Sequence, residues 1–170
     1  MRPQRDALYE DASRTYGAAL ERLGRAHEAD PDKRRDLIQE IHIALWRSFE
    51  RYEARCSLRT WVYRVAHNVA ASHVARHQRA RSRLQVSLEE IELVALTNQE
   101  QETDDRLAFE RLIALIHQLK PPDAQLMLLY LEDLDAAAIG DIIGLSPGAV
   151  RVRLHRVKSV LKRRFHGVTS

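Results

Sequence analysis

The chain has 170 residues, 45% of them hydrophobic and 30% charged, which is enough for one globular domain or two small ones. The lone cysteine, Cys56, excludes an internal disulfide and a thiolate zinc site. There is no long apolar run that predicts a membrane span and no signal-like N-terminus that predicts export, so we expect a cytoplasmic protein. The net charge of +3 is unevenly spread: Lys and Arg against Asp and Glu number 17 against 11 in residues 1–85, 3 against 8 in 86–122, and 7 against 5 in 123–170. Two basic ends around an acidic middle favour two modules that face an anionic partner.

Apolar residues spaced three or four apart, with little glycine, predict an all-α protein. We expect a first helix over 6–28, a second over 31–52 that follows the N-cap Asp30, a loop over 53–57, and a third helix over 58–83 with a basic far end. The second helix turns one apolar stripe inward, formed by Leu37, Ile38, Ile41, Leu45 and Phe49. These elements predict one helical domain over 1–85.

A polar and acidic stretch follows, and it lacks the spacing of a core helix. We interpret 86–105 as a linker. Helical periodicity resumes at Leu107 and breaks at Pro121 and Pro122, and a further helix over 123–131 leads into the C-terminal segment. The sequence therefore predicts a second small helical domain over 106–170.

The C-terminal stretch L-S-P-G-A-V-R-V-R-L-H-R-V-K is typical of a helix-turn-helix. Gly144 ends a short apolar helix, Ser146 can cap the next, and Pro147 suits its first position. Counting about 100° per residue from that start gives an inward stripe of Val150, Leu154, Val157 and Leu161. Seven Lys and Arg residues over 151–164 have no acidic neighbour in the sequence, so we expect them to lack a counter-ion and to bind duplex phosphate. The alternative is a merely solvated charged face.

Two further motifs lie upstream, D-L-I-Q-E-I-H-I-A-L-W over 36–46 and R-T-W-V-Y-R-V-A-H-N-V-A over 59–70. With the acidic linker and the helix-turn-helix, they resemble bacterial RNA polymerase sigma factors of the extracytoplasmic-function group of the sigma-70 family, and the resemblance covers nearly the whole chain. It implies two helical domains, region 2 and region 4, that bind the core RNA polymerase and direct it to promoter DNA, which region 2 then melts. It also implies an anti-sigma factor as partner and no cofactor.

The resemblance implies three contact sets. Core polymerase binding would fall on Asp36, Leu37, Gln39, Glu40 and Trp46, although a buried or solvated role is the alternative for each. Recognition and melting of the minus 10 element would fall on Arg55, Cys56, Ser57, Arg59, Arg64, Asn68, Arg76 and Arg79, with Asn68 on a base edge and Arg59, Arg64, Arg76 and Arg79 on phosphates. Reading of the minus 35 element would fall on Arg151, Val152, His155 and Arg156, with phosphate contacts from Ser146, Arg153 and Lys158. Trp61 and Tyr63 could stack on bases, but core packing is the alternative for Trp61.

Other chemistry has weaker support in the sequence. His73 and His77 stand four residues apart on one helix, but we expect no metal, because no carboxylate or thiolate at a matching spacing completes a ligand set. No phosphate-cradling glycine loop, nucleophile elbow or acid/base pair is recognisable, so we expect no enzymatic activity. Two other functions stay open: a stand-alone helix-turn-helix regulator that binds duplex DNA, with the N-terminal module for dimerisation or sensing, and a helical adaptor without DNA binding.

Overall fold

A computed structural model describes the backbone of residues 2–84 and 104–167 and the side chains of 4–77, 106–120 and 122–166. Within these ranges the protein is all-α, as predicted, with no strand. The elements are α1 (Arg2–His27), α2 (Pro31–Ser48), a 3₁₀ turn (Phe49–Arg51), α3 (Leu58–Leu84), α4 (Asp104–His117), α5 (Pro121–Leu131), α6 (Ala136–Ile143) and α7 (Pro147–Gly167). None of these described helices is long and apolar enough to cross a membrane.

The first bundle consists of α1, α2 and α3. Asp30 caps α2 by accepting hydrogen bonds from the backbone N–H groups of Asp32 and Lys33, at 2.9 and 3.1 Å. The predicted inward stripe of α2 is confirmed, because Leu37, Ile41, Leu45 and Phe49 are buried against α1 and α3, with Ile38 partly buried beside them. The α-helix ends at Ser48 rather than near residue 52, since the chain tightens into the 3₁₀ turn there.

The second bundle consists of α4 to α7. Pro121 occupies the N-terminal turn of α5, and Asp135 caps α6 by accepting a hydrogen bond from the Ala138 N–H at 2.8 Å. The predicted inward stripe of α7 is confirmed by the burial of Val150, Leu154, Val157 and Leu161. These residues share a core with apolar residues of α4, α5 and α6.

The two bundles pack against each other, through α3 on α5 and α6 and through α1 on α4. Ala19, Ala26 and Tyr63 of the first bundle belong to the same buried apolar cluster as Leu129 and Leu134 of the second. The sequence pattern predicted a linker between the modules over 86–105; residues 86–103 lie outside the described residues, and 104 and 105 begin α4. The packing of one bundle on the other was not predicted from the sequence, and it determines how several site residues are presented.

Candidate nucleic-acid interface

The helix-turn-helix is formed by α6, the turn of Gly144, Leu145 and Ser146, and α7. Gly144 has φ = 76°, a left-handed conformation that glycine adopts without steric cost. Gly140 lies so close to the turn that an added Cβ would overlap the carbonyl oxygen of Leu145. Ser146 accepts a hydrogen bond from the Ala149 N–H at 3.2 Å, which confirms it as the N-cap of α7. These contacts fix the angle between α6 and α7.

The outward face of α7 is exposed along the whole helix. Val152 is 73% exposed, and Arg151, His155 and Arg156 are exposed around it. An apolar side chain that faces water in the middle of a basic face has no role in the core, but it suits contact with a thymine methyl group. The side chains predicted to read bases therefore lie together on one accessible surface.

Two of the predicted phosphate contacts on α7 have partners within the protein. The Arg153 Nε donates to Asp123 Oδ1 of α5 at 2.6 Å, and the Lys158 ammonium lies 3.6 Å from the centre of the Tyr130 ring. The expectation that the basic residues of α7 lack a counter-ion is therefore wrong for Arg153, because the carboxylate comes from another helix. Arg153 and Lys158 hold α7 on α5, and Lys158 stays exposed.

The loop before α3 presents the first group of minus 10 candidates. Arg55 is exposed and forms an ion pair with Glu53 at 2.6 Å, and Cys56 is half-buried, with its carbonyl accepting from the Tyr52 hydroxyl at 2.9 Å. Ser57 accepts a hydrogen bond from the Thr60 N–H at 3.0 Å, so its side chain caps α3. The loop is thus held in one shape by its own hydrogen bonds.

A groove of about 470 Å³ between α2 and α3 contains Asn68, which is exposed. Arg76 lies along the same groove and donates to Glu40 Oε2 at 2.6 Å, so a predicted DNA contact and a predicted polymerase contact are paired with each other. Ile43, which is 44% exposed, and Arg47 also line the groove. Neither residue is among the contacts predicted from the sequence, although Ile43, two positions after the buried Ile41, falls off the inward stripe and is therefore expected to be exposed.

The remaining core-polymerase candidates divide into exposed and buried side chains. Asp36 and Gln39 are exposed on α2, whereas Leu37 has no exposed surface and packs in the core. Leu37 therefore cannot contact a partner, because the apolar stripe of α2 takes it inward. Trp46 is half-buried; its Nε1 donates to Asp6 Oδ1 at 2.9 Å, and the Arg5 guanidinium lies 3.5 Å from the ring centre.

Arg59 and Tyr63 face the second bundle. Arg59 donates to the carbonyl oxygen of Glu132, and the Tyr63 hydroxyl donates to Glu132 Oε2 at 2.9 Å. Arg22 completes the contact with two hydrogen bonds to the Glu132 carboxylate, at 2.9 and 2.8 Å. Burial raises the pKa of Glu132, but the hydrogen bonds from Arg22 and Tyr63 outweigh it and the pKa is lowered. Tyr63 is buried, so it cannot stack on a base while the bundles are packed.

Two further candidates on α3, Trp61 and Arg64, make contacts within the first bundle. Trp61 is half-buried and its Nε1 donates to Ser48 Oγ at 2.9 Å, which supports the alternative that it packs in the bundle. Arg64 is partly buried, with its guanidinium 6.0 Å from the Trp61 ring centre. Arg79 lies in the backbone of α3, and its side chain falls outside the described residues.

A second groove, of about 500 Å³, lies between α4 and α7 and is lined mainly by apolar side chains. Phe109, Leu112, Leu161 and Phe165 form its walls, and Lys158 lies at one edge. Phe109 is 51% exposed. This groove is not predicted from the sequence, because each wall residue taken alone is typical of an ordinary core position.

Glu28, His73 and His77 bring three metal-type ligand atoms within 4.8 Å of one another. The sequence has no carboxylate at a matching spacing along α3, but the fold brings one from another segment of the chain. Glu28 follows the end of α1 and lies 45 residues from His73 in the sequence, so no spacing rule along α3 could have found it.

Comparison with known proteins gives two family matches in order along the chain. The Sigma-70 region 2 family matches residues 13–80, and the Sigma-70 region 4 family matches residues 109–161. The ECF RNA polymerase sigma factor SigW of Bacillus subtilis is 26% identical over 168 residues, covering 93% of this chain and 85% of SigW. The ECF RNA polymerase sigma factor SigE of Mycolicibacterium smegmatis is 30% identical over 162 residues, and these span 92% of this chain but 59% of SigE.

Two solved structures share the fold. RpoE of Bartonella quintana, a sigma factor in complex with the anti-sigma factor NepR, superposes with a TM-score of 0.72 at 18% identity, covering 95% of this chain and 98% of RpoE. CnrH in complex with the cytosolic domain of CnrY superposes with a TM-score of 0.69 at 15% identity, covering 98% and 97%.

Proposed function

The chain belongs to the extracytoplasmic-function group of the sigma-70 family, and from this membership we propose how its surfaces serve the work of a sigma factor: binding core RNA polymerase, recognising a promoter and opening it. The observation that carries the proposal is the exposed outward face of α7, with Val152 at its centre. The proposed domains are region 2 over 1–85 and region 4 over 106–170, with a linker between them.

Region 4 reads the minus 35 element through α7. The Arg151 and Arg156 guanidinium groups can each hold guanine O6 and N7, a pairing that discriminates by about 1 to 3 kcal/mol per base. Val152 contacts a thymine methyl group and His155 a neighbouring base edge. Ser146 and Lys158 approach phosphates. Arg153 does not, because its ion pair with Asp123 holds α7 against α5.

Region 2 captures the opened minus 10 strand. The exposed Asn68 amide offers both a donor and an acceptor to a base edge, in an open groove of about 470 Å³ along which an unstacked base can lie. Arg55, Cys56 and Ser57 form the loop at one end of this surface, and the arginines of α3 neutralise phosphates. Arg76 and Glu40 share an ion pair, so DNA on Arg76 would release Glu40 toward the polymerase.

The packed arrangement is the form that has not yet engaged a promoter. The numbers of the minus 10 and minus 35 elements differ by about 25 base pairs, which corresponds to about 85 Å of duplex at 3.4 Å per base pair. A compact protein of this length is only about 40 Å across. Region 2 and region 4 must therefore separate before both elements are held, and separation frees Arg59 and Tyr63 from Glu132.

Polymerase binding uses the exposed polar residues of α2. Asp36, Gln39 and Glu40, with the half-exposed Trp46, form this surface, and Leu37 is left out because it is buried. The apolar groove between α4 and α7 is a second docking surface on region 4, suited to an amphipathic helix of the polymerase or of an anti-sigma factor. RpoE and CnrH were each solved with a protein partner, which supports an anti-sigma partner here.

The protein works inside the cell, where promoter DNA and polymerase are, and acts by binding, with no reaction of its own. Run-off transcription with purified core polymerase and a promoter library tests the proposal. We expect transcripts from a defined promoter class only when the protein is present, and their loss in Arg156→Ala or Asn68→Ala. Tight operator binding without polymerase and with no transcript would instead support a stand-alone regulator, and partner binding without DNA affinity would support an adaptor.

A further inference from the structure

The cluster of Glu28, His73 and His77 has the chemistry and spacing of a metal site. Imidazole and carboxylate groups are common zinc ligands, and sites with three protein ligands leave the fourth position to water. The Glu28 Oε2 and His73 Nε2 atoms lie 3.4 Å apart. Donor atoms of a tetrahedral zinc site with bonds of about 2.1 Å lie about 3.4 Å apart, so this pair already has the separation that zinc requires.

The surrounding structure orients the carboxylate. Glu28 Oε1 accepts a hydrogen bond from the Asp30 N–H at 3.0 Å, in the segment between α1 and α2. Its other oxygen, Oε2, is directed toward His73. A ligand fixed through its second oxygen loses less freedom when a metal binds, which is how outer hydrogen bonds strengthen known metal sites.

The two imidazoles lie one turn apart on α3. Their ring centres are 4.3 Å apart, and the ring planes meet at 71°. His73 is only 2% exposed, while His77 and Glu28 are half-buried, so the site is enclosed on one side and accessible on the other. The contact with Glu28 Oε2 accounts for the position of His73, but the described residues offer His77 no hydrogen-bond partner. A shared cation accounts for the position of both rings.

We propose that Glu28, His73 and His77 bind one Zn²⁺ ion, with a water molecule as the fourth ligand. The ion ties the end of α1 to the middle of α3 and so stabilises region 2 by binding only the folded form. None of the three ligands is among the proposed DNA or polymerase contacts, and the test of the site does not depend on transcription.

Isothermal titration of the chelator-treated full-length protein with zinc chloride tests the site. We expect one ion per chain, a higher melting temperature with zinc, and affinity at least tenfold weaker in Glu28→Gln and in His77→Gln. His166→Gln on α7 is the matched control and keeps wild-type affinity. Failure to saturate at one ion, wild-type affinity in both site variants, or a loss in the control as large as theirs would each overturn the proposal.

A second measurement covers the case in which a site variant folds poorly. Histidine ring resonances of the wild-type protein are followed by NMR as zinc is added. The resonances of His73 and His77 must shift together and reach their end point at one equivalent, while those of His155 stay in place. Shifts spread over all histidines, or absent from these two, would contradict the site even if no variant could be purified.

Discussion

The contact of Glu132 with Arg22 and Tyr63 holds region 4 on region 2, so Glu132→Ala should separate them. The side chain of Glu132 is 16% exposed and that of Arg22 is 52% exposed, so solvent reduces this ion pair to about 1 kcal/mol. The substitution also leaves the buried Tyr63 hydroxyl without its acceptor, at a cost of about 1 to 3 kcal/mol. The packed form should therefore lose about 2 to 4 kcal/mol, a factor of about 30 to 1,000 in its population.

Two measurements check this. Small-angle X-ray scattering should show a larger radius of gyration for Glu132→Ala than for the wild type. A double-mutant cycle of Arg22→Ala and Glu132→Ala, read from the free energy of unfolding, should give a coupling of about 1 kcal/mol. Glu110→Ala is the control, because it removes a carboxylate whose partner Arg106 lies on the same helix.

Acid should act in the same direction as the substitution. The pKa of Glu132 is below its ordinary value of 4.5 in the folded protein, so the unfolded state binds more protons. The stabilisation is complete above pH 4.5 and falls as the pH drops through the lowered value. The reasoning fails if the coupling lies within about 0.3 kcal/mol of zero and the radius of gyration of Glu132→Ala matches that of the control.

Three further predictions concern single side chains. Arg156→Ala should weaken binding to minus 35 DNA by about 1 to 3 kcal/mol and relax the sequence preference at one base, as measured by fluorescence anisotropy with labelled DNA. Lys162→Ala should weaken binding to all DNA sequences equally. If Arg156→Ala also weakened all sequences equally, a base contact would be refuted. Gly140→Ala should lower the melting temperature, because the new Cβ would overlap the carbonyl oxygen of Leu145. Gly17→Ala, with open space around it, should raise the free energy of unfolding by up to about 1 kcal/mol. An unchanged melting temperature in Gly140→Ala would contradict the close packing of the turn. Burial lowers the pKa of His67, so the unfolded state takes up a proton that the folded state does not. The free energy of unfolding of the wild type should therefore fall by up to about 1.4 kcal/mol per pH unit for this group below pH 6.5, and His67→Phe should flatten that slope in urea titrations at several pH values. An unchanged slope would assign the effect to another group.

Local rules in the sequence predicted the elements well. Caps such as Asp30 and Ser146 and the inward stripes of α2 and α7 depend on neighbours within one or two turns, and the structure confirms them. The same rules placed Val152 outward. The exposed positions of Val152, His155 and Arg156 could be predicted because one helix presents all three, and their exposure follows from the helical angle alone.

Contacts between helices were beyond those rules. Arg153 meets Asp123 across 30 residues, and Glu132 meets Arg22 across 110, so no count of neighbouring charges reveals either pair. Periodicity shows that a face is apolar but not which helix covers it, and for that reason Tyr63 was read as a possible base-stacking residue rather than as part of a domain contact.

The hidden pairs change what the net charge means for DNA binding. Each phosphate contact releases counterions and contributes about 0.9 to the slope of affinity against salt. Arg153 adds little of this, because binding phosphate would first break its ion pair with Asp123. Arg59 and Arg76 carry the same cost, through Glu132 and Glu40. The carboxylates and carbonyls that hold these arginines therefore compete with DNA. Glu132→Ala keeps the backbone carbonyl that binds Arg59, but it removes the acceptor of Arg22 and Tyr63 and so favours separation of the bundles. Because separation frees Arg59, this substitution should favour promoter binding.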